Sequence, residues 1–362
     1  MTTIVNPLDP SQFIDITGAF KQVQYPYGAF SKTGLFAPEY VTTRSIIAEV
    51  DVKGLGKMTG FTSLRERDAM RTSKEYRKAV PLAIPHMKIA EAVTYEDLAN
   101  KVANWQSLNQ ADRAITVSDA TLDRLERMSL ALTQNMEYIA YTATRGVMLD
   151  PADGSEVANM FDILGVTRLT ETLDLTDQTI DLFSWAQALK AKLQRASKVS
   201  PVIPVIDIVV DPADMQKITA HPSLSALRSN LLFGTGSAGV GLASTLLYSS
   251  LNLTTHGISE VFDLGNGVRF ITYPAHFTRY DGTVVEATVA GKAHTVLRGV
   301  PDLYRSVYAP APYFSYLGSV AQETYAWRTP IIHDQHFEVL LETSPLFYMT
   351  QPELSVDITV VS

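Results

Sequence analysis

Residues 118–146 read SDATLDRLERMSLALTQNMEYIAYTATRG, and one amphipathic helix accounts for the whole stretch. Ser118 is a suitable N-cap, Asp119 and Asp123 put negative charge on the first turns, Arg145 puts positive charge on the last, and Gly146 suits the position just past the end. At 1.5 Å per residue the predicted helix of roughly 27 residues is about 40 Å long. Leu122, Leu125, Leu132, Met136, Ile139 and Ala143 keep a three-four spacing broken only at Ser129, so an apolar stripe runs along it. Asp123, Arg124, Glu126, Arg127, Gln134, Asn135 and Glu137 fall on the other faces, with Asp123 and Arg127 spaced for an ion pair. A coiled-coil dimer is the alternative. Four heptads with a Ser gap and no flanking heptads favour instead a spine with sheets laid against it.

The chain around this spine is that of a folded protein: 362 residues, 46% hydrophobic and 19% charged, enough for one large or two medium cores. Its longest apolar run, Val202 to Val210, contains Asp207 and is too short to span a bilayer. Met1 to Ile4 lack the basic-then-apolar pattern of a secretory signal. Zero cysteines remove disulfides and thiolate chemistry and fit assembly in a reducing cytosol. Asn252-Leu-Thr254 has the form of a glycosylation acceptor, which means little without secretion.

Net charge is −8, unevenly spread. Between residues 53 and 88 nine Lys or Arg (Lys53, Lys57, Arg65, Arg67, Arg71, Lys74, Arg77, Lys78 and Lys88) face three acids, a local +6 that leaves −14 on the rest. A basic segment on an acidic chain can bind nucleic acid, dock on the acidic body of a neighbouring copy, or lie solvated. A single-strand binder would interleave aromatics, and only Phe61 and Tyr76 occur here, which favours docking.

Strand-like runs flank the basic segment, at Thr42 to Val52 and at Ala79 to Ala92, the second broken by Pro81 and Pro85. They predict a projecting hairpin with a long charged tip, and an isolated two-stranded hairpin needs a partner surface. Residues 1–41 hold Pro7, Pro10, Pro26 and Pro38 among aperiodic aromatics (Phe13, Phe20, Tyr25, Tyr27, Phe30, Phe36, Tyr40), the pattern of an extended arm lying on something else. A short helix is expected at Thr94 to Leu108, a polar linker at Asn109 to Arg113, a strand at Val166 to Leu175, and a helix at Asp177 to Ala196 capped by Thr176. A buried strand is expected at Val205 to Val210, and short helices from Asp211-Pro212 to Leu232. Asn266-Gly267 and Asp281-Gly282 each mark a hairpin. The chain closes in strands near Gln335 to Leu341 and Leu354 to Val361.

No catalytic constellation emerges, and neither a cofactor nor a metal is expected. Gly234-Thr-Gly236-Ser-Ala-Gly239, with Glu260 downstream, matches a dinucleotide fingerprint, but helix rather than buried strand precedes it. Ser237 nearly matches a nucleophile elbow, again with no strand feeding it. His333, Asp334 and His336 are the nearest approach to a metal site, yet on a strand the two histidines point to opposite faces.

Several stretches, in order along nearly the whole chain, resemble the major capsid protein E family of tailed phages, typified by the lambda major head protein. They are Ile84-Pro-His-Met-Lys-Ile-Ala-Glu-Ala-Val-Thr-Tyr-Glu-Asp-Leu98, Glu137 to Gly146 with the Asp150 to Gly154 turn, and Ile206-Asp-Ile-Val-Val-Asp-Pro212. Ala309-Pro-Ala-Pro312 with Gly318, and Glu342-Thr-Ser-Pro-Leu346 before Pro352, complete the set. The resemblance implies an α+β fold of the Hong Kong 97 type: an arm (1–41), an extended loop (42–93), a peripheral domain (94–197 with 329–362) and an axial domain (198–328). It implies a structural protein and no enzyme, building an icosahedral shell of pentamers and hexamers around double-stranded DNA, found in the virion after assembly in the host cytoplasm. Lys53, Lys57, Arg65, Arg67, Arg71, Lys74, Arg77 and Lys78 would then touch a neighbouring subunit. A portal would be a partner. A separate scaffolding protein is expected, because the chain opens directly on the arm, and a decoration protein would be optional. Some relatives cross-link a loop lysine to an asparagine; Lys53, Lys57 or Lys74 would be available, but no motif selects one. A cellular nanocompartment shell of the same fold is the alternative, and a dinucleotide-binding enzyme around Gly234 the remote one.

Overall fold

The computed structural model describes residues 14–19, 26–50, 78–102, 107–197, 202–224, 256–331 and 335–361. In chain order the elements are β1 (Ile14–Asp15), β2 (Ala37–Tyr40), β3 (Ser45–Val50), β4 (Lys78–Ala83), β5 (Met87–Thr94), α1 (Tyr95–Lys101), α2 (Gln110–Thr144), β6 (Val147–Leu149), β7 (Glu156–Asn159), α3 (Met160–Leu164), β8 (Leu169–Asp174) and α4 (Leu182–Ala196). There follow β9 (Val205–Val210), α5 (Pro212–Ala220), β10 (Glu260–Asp263), β11 (Val268–Thr272), β12 (His276–Thr278), β13 (Val284–Glu286), β14 (Lys292–Arg298), β15 (Tyr304–Tyr308), β16 (Tyr325–Arg328), β17 (His336–Thr343), β18 (Pro345–Met349) and β19 (Val356–Val361).

The strands form a six-stranded sheet (β10-β11-β9-β14-β19-β8), a four-stranded sheet (β1-β16-β17-β5), a three-stranded sheet (β18-β15-β2) and the pairs β3-β4, β6-β7 and β12-β13. β9, the run VIDIVV, apolar but for Asp207, lies inside the largest sheet, parallel to β11 and antiparallel to β14, as a largely apolar strand should when both its faces are covered. Both Asn-Gly and Asp-Gly turns sit where expected, with Gly267 and Gly282 at φ 83° and 84°. The closing strands tie the sheets together: β17 joins the four-stranded sheet, β18 the three-stranded one and β19 the six-stranded one. β18 was not expected, because PLFYM is a short apolar run that starts on a proline.

The spine differs from expectation at its start. α2 is 35 residues long, about 52 Å, and is capped by the Asn109 side chain, which accepts the Asp112 N–H. Ser118 lies inside it, exposed. Asn caps as well as Ser does, and Gln110 to Val117 contain no breaker, so the expected linker is the helix's first turn. The buried face is also rotated: Leu122 is 42% exposed, while Val117, Ala120, Leu125, Met128, Ser129, Leu132 and Thr133 are buried. Every residue from Met136 to Thr144 is buried, Glu137 included, so the end of the helix has no polar face. Gly146 ends it at φ 76°, the left-handed conformation glycine adopts freely.

α4 begins at Leu182 behind an Asp181 cap, not at Asp177. Asp174 and Asp177 each accept the N–H two residues on, at Thr176 and Thr179, and these local turns outcompete the helix. Two of the aromatics of residues 1–41 are placed otherwise than expected. Phe30 and Phe36 are buried in this chain's own core rather than held out for another molecule. Phe13, Phe20 and Tyr25 lie outside the described residues.

Candidate functional site

β3 and β4 form a ribbon, in register from Ser45 opposite Ala83 to Val50 opposite Lys78, and among the described residues no third strand joins it on either side. Its foot is anchored: Leu82 and Ile84 are buried, and the Ile84 N–H donates to the Arg44 carbonyl. Further out Ile47 is 66% exposed opposite Pro81. A ribbon of this kind is marginal in water without a surface to lie on. Lys78 sits at the outermost described pair. Lys53, Lys57, Arg65, Arg67, Arg71, Lys74 and Arg77 belong to the segment joining the two strands and lie outside the described residues. Gly234 to Gly239, Ser237, His333 and Asp334 lie outside them too. Glu260 opens β10 exposed, and His336 stands opposite Thr94 on β5. Among the described residues no group of three or more His, Asp or Glu side chains could hold a metal ion.

Two buried carboxylates hold residues 29–33 to the body. Glu137, fully buried on α2, accepts the Phe30 N–H at 3.0 Å and the Tyr273 hydroxyl at 2.7 Å on Oε1. On Oε2 it accepts the Ser31 N–H at 2.8 Å and the Ser31 hydroxyl at 2.5 Å. A carboxylate this deep is tolerable only when its lone pairs are so occupied. Asp207, fully buried on β9, takes Arg269 Nε at 2.7 Å on one oxygen and Arg298 Nε at 2.6 Å on the other. Arg298 then reaches on to the Thr33 hydroxyl (3.1 Å) and the Ala29 carbonyl (3.4 Å). Residues 29–33 are thus pinned to the spine by one acid and to the central sheet by the other.

A third buried acid, Glu342 on β17, gathers groups at the ribbon's foot. Its Oε1 accepts the Tyr313 hydroxyl at 2.5 Å and lies 3.3 Å from Lys88 Nζ. His86 Nε2 stands 3.6 Å from Oε2, ion-pair distance but beyond a hydrogen bond, while His86 Nδ1 is 2.8 Å from the Ser344 hydroxyl. Burial lowers the His86 pKa against the pull of Glu342, and Arg44 and Lys88 lower it further. Burial and Glu342 push the Tyr313 hydroxyl up, so it remains a donor. The sequence hinted at one of these acids only: Asp207 interrupts an apolar run. Helical spacing puts Glu137 on a polar face, and Glu342 falls in a stretch that carries the family resemblance without any sign that it is buried.

The model of the family described as phage major capsid protein E matches residues 13–360. The major capsid protein of Salmonella phage Felix O1 is 23% identical over 370 residues, and that of Pseudomonas phage KPP10 21% over 355; each alignment covers 95% of both chains. Among solved structures, that of an Escherichia coli CFT073 prophage protein assigned as a capsid protein superposes with a TM-score of 0.56 at 12% identity, over 91% of this chain and 92% of that one. The fold is therefore the α+β capsid fold of the Hong Kong 97 type, and the chain belongs to the phage major capsid protein E family.

Proposed function

We propose that this phage major capsid protein closes, as pentamers and hexamers, into an icosahedral shell around double-stranded DNA, and that its basic extended loop is the clasp between neighbours. The observation that carries this is the β3-β4 ribbon, which no third strand joins among the described residues, in a chain matched to the capsid family over nearly its whole length. A ribbon that cannot satisfy its own edges gains stability by lying across the next subunit, and quasi-equivalent copies supply that surface in repeated form. The segment's +6 charge against −14 on the remainder supplies attraction. In this reading residues 42–93 are the extended loop, 94–197 with 329–362 a peripheral domain, 198–328 an axial domain and 1–41 an arm. A scaffolding protein, a portal and an optional decoration protein complete the assembly, which takes place in the host cytoplasm. The acidic remainder suits a container whose wall must not hold its DNA.

Electron microscopy of the protein, expressed alone and with its genomic neighbours, should show shells or capsomers of five and six. The triple variant Arg65→Glu, Arg67→Glu, Arg71→Glu should leave the subunit's melting temperature unchanged and abolish shells. Normal shells from that variant would overturn the clasp.

A further inference from the structure

We propose that the cleft between residues 33–37 and 297–304 is a binding site for a small free oxyanion of the phosphate type, held by Arg298 and Tyr304. The inference goes beyond the shell reading and does not depend on it.

The clamp that seats residues 29–33 carries a surplus charge. Arg269 and Arg298 both pair with Asp207, and among the described residues neither has a second carboxylate within ion-pair distance, so two cations share one anion and the group holds a net +1. Arg269 is enclosed and Arg298 nearly so. A cation shielded from water interacts strongly with any anion that can reach it. One can reach this group. A cleft of about 430 Å³ opens beside Arg298, lined also by Thr33, Gly34, Ala37, Asp302 and Tyr304, and small ligands occupy volumes of that order.

The wall supplies donors. A guanidinium has five N–H groups, and Arg298 commits three, to Asp207, Thr33 and Ala29, which leaves one on each terminal nitrogen. The Tyr304 hydroxyl accepts the Leu297 N–H at 3.1 Å, and no acceptor among the described residues takes its proton. Burial above all holds the Tyr304 pKa above its usual value, so the hydroxyl stays a donor. Thr33 contributes nothing, since its own proton goes to the Ala29 carbonyl at 2.7 Å. The carboxylate in the wall, Asp302, is mostly exposed and lies 3.3 Å from Arg305, which offsets its repulsion. A guanidinium fork beside a hydroxyl is a donor set that phosphate oxygens accept. Charge selects a free ion over nucleic acid: duplex DNA is held by many cations along a groove, and this cleft has one arginine.

The test is thermal unfolding of the full chain as inorganic phosphate replaces chloride at constant ionic strength. The midpoint should rise and saturate, as it does when a ligand binds only the folded state. Asp302→Asn keeps a residue that tolerates the left-handed backbone there (φ 57°) and removes the repelling carboxylate, so half-saturation should come at about threefold less phosphate. Ala37→Glu, at an exposed position in the wall, tethers a competing carboxylate, so half-saturation should need at least about tenfold more. Arg298→Lys should abolish the saturable rise; if that variant does not fold, the two at exposed positions decide. A rise that never saturates, or that is the same in wild type, Asp302→Asn and Ala37→Glu, is the general effect of phosphate on folded chains and would overturn the proposal. An equal saturating rise with a short DNA duplex in place of phosphate would overturn it too, since the cleft would then be a DNA contact.

Discussion

Residues 26–41, PYGAFSKTGLFAPEYV, and residues 306–322, SVYAPAPYFSYLGSVAQ, look alike on paper: aromatic, broken by two prolines each, and nearly free of charge. They are also neighbours in space. β2 runs parallel to β15, Tyr40 stacks on Tyr308 at 5.5 Å, and the Ala321 N–H donates to the Val41 carbonyl. Yet the first buries Phe30 and Phe36, while the second holds Phe314 and Leu317 out in solvent. What separates them is the hydrogen bonding of the backbone. The first segment meets Glu137 and the Asp207-Arg298 pair, which satisfy its N–H, hydroxyl and carbonyl groups inside the core. The second is turned outward by tyrosine hydroxyls anchored at its base. Aromatic content therefore does not decide burial; polar partners able to satisfy the backbone do.

The hardest test of that contrast is Glu137→Ala. It takes the acceptor from the buried Phe30 N–H, the half-buried Ser31 N–H and the Tyr273 hydroxyl, and should cost about 3–5 kcal/mol in urea unfolding. A cost below about 1 kcal/mol would mean that apolar packing alone seats residues 29–33. Asp207→Ala should rank second, at about 2–4 kcal/mol, because Arg269 and Arg298 lose their shared counter-charge but both retain some access to water.

Most local elements were legible in the sequence, and of the buried acids only Asp207, which interrupts an apolar run, left a trace there. The Asn266-Gly267 turn, the Asp211-Pro212 helix start and the Gly146 stop are set by residues within a turn of one another, so pattern suffices. The start of α2 was misplaced because Asn109 and Ser118 are equally good caps and only the intervening residues decide. Glu137 was assigned to a polar face because helical spacing knows nothing of Phe30, 107 positions away, whose N–H it accepts. The α2 face likewise turned on what packs against it. The capsid fold came from family resemblance spread along the chain, whereas the clamp that seats residues 29–33 required coordinates.

Acid should separate the two regions. His294, fully enclosed with the Tyr141 ring at 5.3 Å and the charges of Arg145 and Arg168 nearby, has its pKa held well below the usual value, by burial first and by those arginines next. The unfolded chain takes up that proton near pH 6.5 and the folded chain resists it. Stability is therefore whole above about pH 6.5 and falls as pH drops toward the folded pKa, by at most about 1.4 kcal/mol per unit, with His86 adding in the same sense. The Asp15 anchor of the outward loop behaves differently. Burial raises its pKa, but hydrogen bonds from Tyr316 and Thr17 outweigh that and leave it below 3.8, so it gives way only in stronger acid. Urea unfolding between pH 7 and 5 should show a slope that His294→Gln flattens. An unchanged slope in that variant would place the acid sensitivity elsewhere.

The smallest effect belongs to Tyr316→Phe. The lost hydrogen bond to Asp15 lies at the surface, where water replaces it, so the subunit should lose no more than about 1 kcal/mol. The ring keeps its contacts with Tyr325 and Trp327, so the platform under Phe314 and Leu317 stays in place. If the loop is part of the subunit only by its base, unfolding should scarcely register the change. A loss as large as that of Asp207→Ala would reverse the ranking and make the loop part of the body.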